Sequence, residues 1–387
     1  MKENLDIKRN FKEVSCLGFL QQRHFKLSLG SSWCWGIRHR AAVSPKIPPS
    51  LILGLSERAC YLDARVVATM TERVTLQDRS DLVLQGTDAL HKLISFRPGD
   101  PLHFCLEVNP PRGIDHDAVV VRLKGKLGGV SFINVTDSAL ARMKAAALPF
   151  ASVLKRELGV EPLVNVSCRD RNVIALQADL LGASMLGIRS VVALTGDALS
   201  VGDMPEAKGV FEVNSVGLLG IISSLCRGED LAQNALKGSP VITPGVVVNP
   251  NARNISAELR RLEKKKNAGA QYALTQPVFD LSAARAFLEQ AIQTVQLPIL
   301  VGVMPIRSGK AGLAMNAVPG IKLPDELVKE CQDIGEGDFS VRSIERAVTI
   351  CEGVRDLVAG FHVVSGPAPT LGLELVSLLV KYFGIGQ

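Results

Sequence analysis

The chain has 387 residues, 47% hydrophobic and 21% charged, a globular balance that excludes wholesale disorder and collagen-like or coiled-coil architectures. Its net charge of +6 resides in residues 1–58, where ten Lys/Arg stand against four Asp/Glu. The rest of the chain is balanced and lacks the basic face that nucleic-acid binding requires, and no apolar run approaches the roughly 20 residues of a membrane-spanning helix.

Residues 1–85 read as an N-terminal extension, poorly structured and foreign to the remainder of the chain. They hold both tryptophans, most of the excess basic charge and a linker-like segment with three prolines in ten residues, Ala41 to Ser50. A flexible extension, an organelle transit peptide and a true start at Met70 compete here; Glu3, Asp6 and Glu13 weigh against the transit peptide, which should be poor in acids. The eight cysteines form no C-x-x-C pair, so no metal site is expected. Their scatter through apolar stretches suits reduced thiols of a cytoplasmic protein.

Residues 86–387 alternate between short β-branched runs and longer segments of helical period. The predicted strands are His103–Val108, Val130–Val135, Leu163–Cys168, Ser190–Thr195, Val246–Asn249, Tyr272–Gln276, Ile299–Met304 and Gly360–Ser365. Helices are predicted over Ser138–Leu158 and Val341–Val358, and the basic run Leu259–Lys266 reads as the wet face of an amphipathic helix. Eight βα units over roughly 280 residues are the count and size of a (β/α)8 TIM barrel. An open doubly wound sheet would need a G-x-G-x-x-G loop, and none occurs.

In such a barrel the active site lies at the C-terminal strand ends. There the sequence places Glu107, then Arg169, Asp170 and Arg171, then the turn Thr195, Gly196 and Asp197, then Gln276. Each has an ordinary reading alone, as a cap, an ion pair or a turn residue. Together on successive strand ends they suit an extended, polar, partly anionic ligand.

Seven motifs carry a family resemblance: EVNPPRG, NVSCRDRN, ALTGD, GDMPEAKGVFEVNSVGLL, NPNARN, AGAQYALTQPVFD and PILVGVMPIRSGK. In this order they resemble methylenetetrahydrofolate reductase, nearest to the reductase half of the bacterial bifunctional homocysteine S-methyltransferase/methylenetetrahydrofolate reductase, from about Asp88 to about Leu327. No methyltransferase half is visible, and the last strand, in GFHVVSGPAPTLG, departs from the family pattern.

The resemblance implies a cytoplasmic oxidoreductase of one-carbon metabolism with FAD across the barrel mouth. A hydride from the reduced flavin would convert 5,10-methylenetetrahydrofolate to 5-methyltetrahydrofolate. Carried over motif by motif, Glu107 is the general acid that opens the imidazolidine ring, and Asp170 lies at the flavin's pyrimidine edge, where it supports the cationic folate intermediate. Arg169 and the Thr195–Asp197 turn would hold the cofactor, Lys208 is a weaker candidate for its pyrophosphate, and Gln276 would bond the pterin. The donor is NADH or NADPH, or an electron-donating partner subunit; a homo-oligomer is also open. The alternative from another class is a flavin-free pterin-binding barrel serving methyl transfer or acting as a partner subunit.

Overall fold

The computed structural model describes residues 88–333, 336–366 and 369–384. The extension expected over residues 1–85, with the start at Met70, lies outside the described residues. Eight parallel strands close into a barrel in sequence order: β1 (His103–Val108), β2 (Phe132–Val135), β3 (Glu161–Ser167), β4 (Ser190–Leu194), β5 (Thr243–Val248), β6 (Tyr272–Thr275), β7 (Ile299–Val303) and β8 (Gly360–Val363). β8 closes on β1 with Cys105 opposite His362. Outside the strands lie α1 (88–94), α2 (Asp117–Leu123), α3 (Ala147–Leu158), α4 (Val173–Met185), α5 (Ser215–Cys226), α6 (Ile255–Asn267), α7 (Leu281–Thr294), α8 (Gly309–Asn316), α9 (Asp325–Asp333), α10 (Glu336–Val354) and α11 (Pro369–Phe383).

The two-residue period of a strand divides each one between two cores. Phe104, Leu106 and Val108 of β1 join the outer core between strands and helices, as do Ile133, Val135, Val164 and Val166 of β2 and β3. The opposite phase builds the barrel interior: Cys105, Phe132, Leu163, Val192, Tyr272, Leu274 and Leu300 pack together, with Leu90 and Leu93 of α1 set against them. The helix preceding β1 thus seals the N-terminal end. Tyr272 fits at the centre because its neighbour in register is Gly245, where an added Cβ would come within 2.2 Å of the Tyr272 ring.

Several predicted boundaries move, among them the start of β2, from Val130 to Phe132, and both ends of the helix predicted over Val341–Val358, which runs from Glu336 to Val354. Three others move for a local reason. β3 and β5 start earlier than their apolar runs suggest and carry Pro162 and Pro244 at their second residues, close to the strand start where proline is least disruptive. The helix expected from Ser138 begins only at Ala147. Pro149 then falls in the first turn, where its missing N–H costs nothing; a helix from Ser138 would drive its ring into the carbonyl one turn back. The freed segment is irregular, with Ser138, Leu140 and Ala141 all at positive φ between 45° and 56°.

Candidate active site

The inward phase turns polar near the C-terminal strand ends. There the strands surround a cavity of about 770 Å³ lined by Glu107, Asn134, Asn165, Arg169, Thr195, Gly196, Asp197, Gln276 and His362, among others. That size accommodates a large organic ligand.

Glu107 ends the inward row of β1. Its Oε1 accepts a hydrogen bond from the Gly366 N–H at 3.2 Å, which ties it to the segment after β8. Burial lifts its pKa to about 7, against the smaller opposing pull of bonds from Gly366 and Asn109. A carboxyl poised there is still partly protonated at neutral pH, as a general acid requires. Asn109 is held by the Thr136 hydroxyl, which donates to its Oδ1 at 2.8 Å.

Arg169 and Asp170 part company at the end of β3. Arg169 is buried and lines the cavity, whereas Asp170 is exposed and lies outside the lining. Arg169 grips the Asp170 carboxylate with two donors, at 2.8 and 2.6 Å, and its backbone N–H bonds the Ser167 hydroxyl at 3.1 Å. Arg171 turns to structural partners, Asp137 at 2.7 Å and Asp179 at 2.8 Å.

The turn after β4 folds onto this wall. Gly196 has φ +100°, and a Cβ there would meet the Ser167 hydroxyl at 2.2 Å and Arg169 Cβ at 2.7 Å, so both backbone and packing demand glycine. Its neighbours hold other loops. The Thr195 hydroxyl accepts from Ser215 N–H at 3.1 Å, at the start of α5, and the Asp197 carboxylate accepts from Leu140 N–H at 2.7 Å. Asp197 thereby secures the left-handed segment at the cavity edge. Lys208 is exposed and outside the lining. Gln276 lines the opposite wall, with its backbone N–H bonded to Val248 O at 2.9 Å.

Sequence reasoning overlooks Asn134 and Asn165, whose amides bond each other at 2.8 Å inside the barrel. The available signal is strand phase: each lies two residues beyond an inward apolar residue, Phe132 or Leu163. It also overlooks His362, on the inward phase of β8, and Arg142 and Lys144, which reach the cavity from the irregular segment after β2.

The family model described as methylenetetrahydrofolate reductase matches residues 96–367. A Caenorhabditis elegans protein named "Probable methylenetetrahydrofolate reductase (NADPH)" is 22% identical over 325 residues, 81% of this chain and 46% of the relative. "Methylenetetrahydrofolate reductase (NADH) 1" of Arabidopsis thaliana is 26% identical over 233 residues, 58% of this chain and 39% of the relative. The chain thus spans less than half the length of these two relatives. "5,10-methylenetetrahydrofolate reductase" of Salmonella typhimurium is 23% identical over 226 residues, 58% of this chain and 71% of the relative. Among solved structures, an uncharacterized Clostridium thermocellum protein that binds two copies of 5-methyl-5,6,7,8-tetrahydrofolic acid shares the fold, with TM-score 0.55, 13% identity and coverage of 76% of this chain and 99% of that one. With the family model spanning well over half of its residues, the chain belongs to the methylenetetrahydrofolate reductase family.

Proposed function

We propose that this chain is an oxidoreductase that reduces 5,10-methylenetetrahydrofolate to 5-methyltetrahydrofolate with FAD held at the C-terminal mouth of the barrel. The observation that carries this reading is Glu107: a carboxyl at a strand end, facing a large cavity, with its pKa lifted to about 7. It donates a proton to the imidazolidine ring as that ring opens. Gln276, on the wall across the cavity, offers an amide donor and acceptor to the pterin.

When bound, FAD supplies a hydride carrier. The β3–β4 wall fits such a group: the Gly196 turn packs so closely on Ser167 and Arg169 that Thr195 and Asp197 flank the cavity without a side chain between them. Arg169, already neutralised by Asp170, contributes a rigid surface there, and Asp170 shapes the wall through that pair. Lys208 would serve a pyrophosphate only by reaching in from outside the lining. Either nicotinamide suits the reading, since relatives are named for NADPH and for NADH; an electron-donating partner subunit would serve the same step.

The test is a half-reaction. The protein, supplemented with FAD, is reduced without oxygen, methylenetetrahydrofolate is added, and the oxidised-flavin absorbance is followed. Its return, with formation of 5-methyltetrahydrofolate, is the expected result. A flavin that stays reduced rejects the substrate, and a protein that takes up no flavin leaves the flavin-free pterin-binding barrel standing.

A further inference from the structure

We infer that Arg142 and Lys144, on the irregular segment between β2 and α3, form an anion-binding edge of the cavity that holds a multiply charged ligand tail. The inference rests on the proposed function and deepens it, since both partners of that reaction carry such a tail: the diphosphate of FAD and the glutamate of folate.

The charged residues of the cavity lining divide sharply by whether they are already matched. Asp137 pairs with Arg171 at 2.7 Å, Arg169 with Asp170 at 2.6 Å and Glu258 with Arg261 at 2.8 Å. The Asp197 carboxylate accepts from Leu140 N–H, Lys265 Nζ donates to Val247 O at 2.6 Å, and Glu107 accepts from Gly366 N–H. Arg142 and Lys144 complete the set. Arg142 is exposed and Lys144 half-buried, and neither side chain has an ion-pair or hydrogen-bond partner among the described residues.

An exposed cation alone is ordinary; the backbone that presents these two is not. Ser138, Leu140 and Ala141 all have positive φ, a conformation that non-glycine residues keep only where their surroundings impose it. Four hydrogen bonds do so. Arg169 donates to Ser138 O at 3.3 Å, Leu140 N–H to Asp197 at 2.7 Å, Met143 N–H to Asp203 at 3.2 Å and Ala145 N–H to Pro111 O at 2.8 Å. Asp203 is anchored in turn by Arg112 at 3.1 Å, and a Cβ on Gly202 would come within 2.2 Å of Ala141 O. The loops after β1, β3 and β4 thus converge on one segment. They take up its backbone amides and leave Leu140, Arg142 and Lys144 to line the cavity.

Two cations two residues apart, without a counter-charge, match a group that carries two or more negative charges. Arg169 cannot serve that group equally, because Asp170 already neutralises it, and Lys208 lies outside the lining. Diphosphate and glutamate both meet the description, and the experiment separates them.

The test uses the full-length protein and two pairs of ligands, each with and without the charged tail. They are FAD against riboflavin, and 5-methyltetrahydrofolate against 5,6-dimethyltetrahydropterin. Arg142→Gln combined with Lys144→Gln should raise the Kd of FAD or of 5-methyltetrahydrofolate by about tenfold and leave its tail-free counterpart within about twofold. The ligand that responds identifies the tail. Added salt should weaken that ligand more steeply in wild type than in the Gln pair. Arg142→Lys combined with Lys144→Arg keeps both charges and should stay within about threefold of wild type. An unchanged Kd for both tailed ligands in a folded Gln pair overturns the inference and leaves the reductase reading intact. Equal loss of tailed and tail-free ligand also overturns it, as does an exchange of cations that costs as much as the Gln pair. If the wild type takes up neither flavin nor folate, the reductase reading fails, and inorganic pyrophosphate becomes the probe. Binding of pyrophosphate that the Gln pair loses then upholds the anion edge, and no binding overturns it.

Discussion

At the N-terminal end of the barrel the inward positions of successive strands are Cys105, Phe132, Leu163 and Val192, sealed by Leu90 and Leu93. Two residues further along, β1, β2 and β3 instead present Glu107, Asn134 and Asn165 to an open cavity. Both ends use the same backbone register, and both contain ionisable groups. They differ in how those groups are satisfied. Near the sealed end, Glu161 is buried with Lys155 Nζ at 2.7 Å, and that lysine also reaches Gly187 O at 2.8 Å. At the open end, Glu107 has only neutral partners. The counter-charge thus stands at the sealed end, beside Glu161, and the carboxyl that faces the cavity has none, which separates the two tasks along single strands.

The sharpest way to break this comparison is one substitution at each end. Glu107→Gln keeps shape and removes the proton; folate reduction should fall by about 10²–10⁴-fold, with the fold retained and flavin still bound and reducible. Leu93→Ala at the sealed end should do the reverse, costing about 2–5 kcal/mol of unfolding free energy in denaturant titration while leaving kcat near wild type. If Glu107→Gln unfolded the protein, or Leu93→Ala abolished activity at a temperature where it stays folded, the division of labour would be lost.

The sealed end is largely legible in the sequence because period is a strong signal. All eight strands and the barrel follow from β-branched runs alternating with helical stretches, and the errors are at strand starts such as Pro162 and Pro244, where a turn residue lies inside a strand. The open end is legible only where motifs mark it. Glu107, Arg169, Thr195, Gly196, Asp197 and Gln276 do line one cavity. Asp170 and Lys208 do not, because adjacency in a motif says nothing about which way a loop side chain turns: Arg169 points into the barrel and draws the Asp170 carboxylate onto its own guanidinium. Asn134 and His362 escape notice because a single polar residue inside an apolar run reads as a strand with a blemish. Helix α1 escapes for another reason: seven residues just before the first strand are too few to show a period.

A pH series sharpens the comparison with a smaller effect. His103, tilted against Phe132 at the sealed end with ring centroids 5.5 Å apart, is held down to about 4 by burial. The unfolded chain therefore takes up a proton that the folded one refuses, and this residue lowers stability as pH falls from about 6.5 to about 4. Glu107 has the opposite sign. Its folded pKa of about 7 lies above its ordinary 4.5, so the folded state keeps a proton the unfolded state has lost, and stability falls as pH rises from about 4.5 to about 7. Glu107→Gln should therefore gain stability over wild type progressively across that window, most at its upper end. The folate half-reaction of the wild type should slow above about pH 7 as the acid ionises. A stability difference that is flat with pH would mean that Glu107 titrates as an ordinary carboxyl.

The smallest expected effect lies deepest in the sealed end, at the hydroxyl pair of Ser190 and Tyr272. The two oxygens are 2.8 Å apart, and Ser190 Oγ also donates to Thr243 O at 3.0 Å. The serine proton is thus committed to the carbonyl, which makes Tyr272 the donor between the hydroxyls. Tyr272→Phe removes that donor and leaves the serine bonded to Thr243, so its cost should be about 0.5–1.5 kcal/mol. Ser190→Ala leaves a fully buried phenol without its acceptor and should cost about 1–3 kcal/mol, although it deletes the smaller group. Equilibrium unfolding of the two variants decides the order. The asymmetry is that of any buried pair: losing the acceptor strands a donor in the core, whereas losing this donor leaves the serine bonded to its carbonyl.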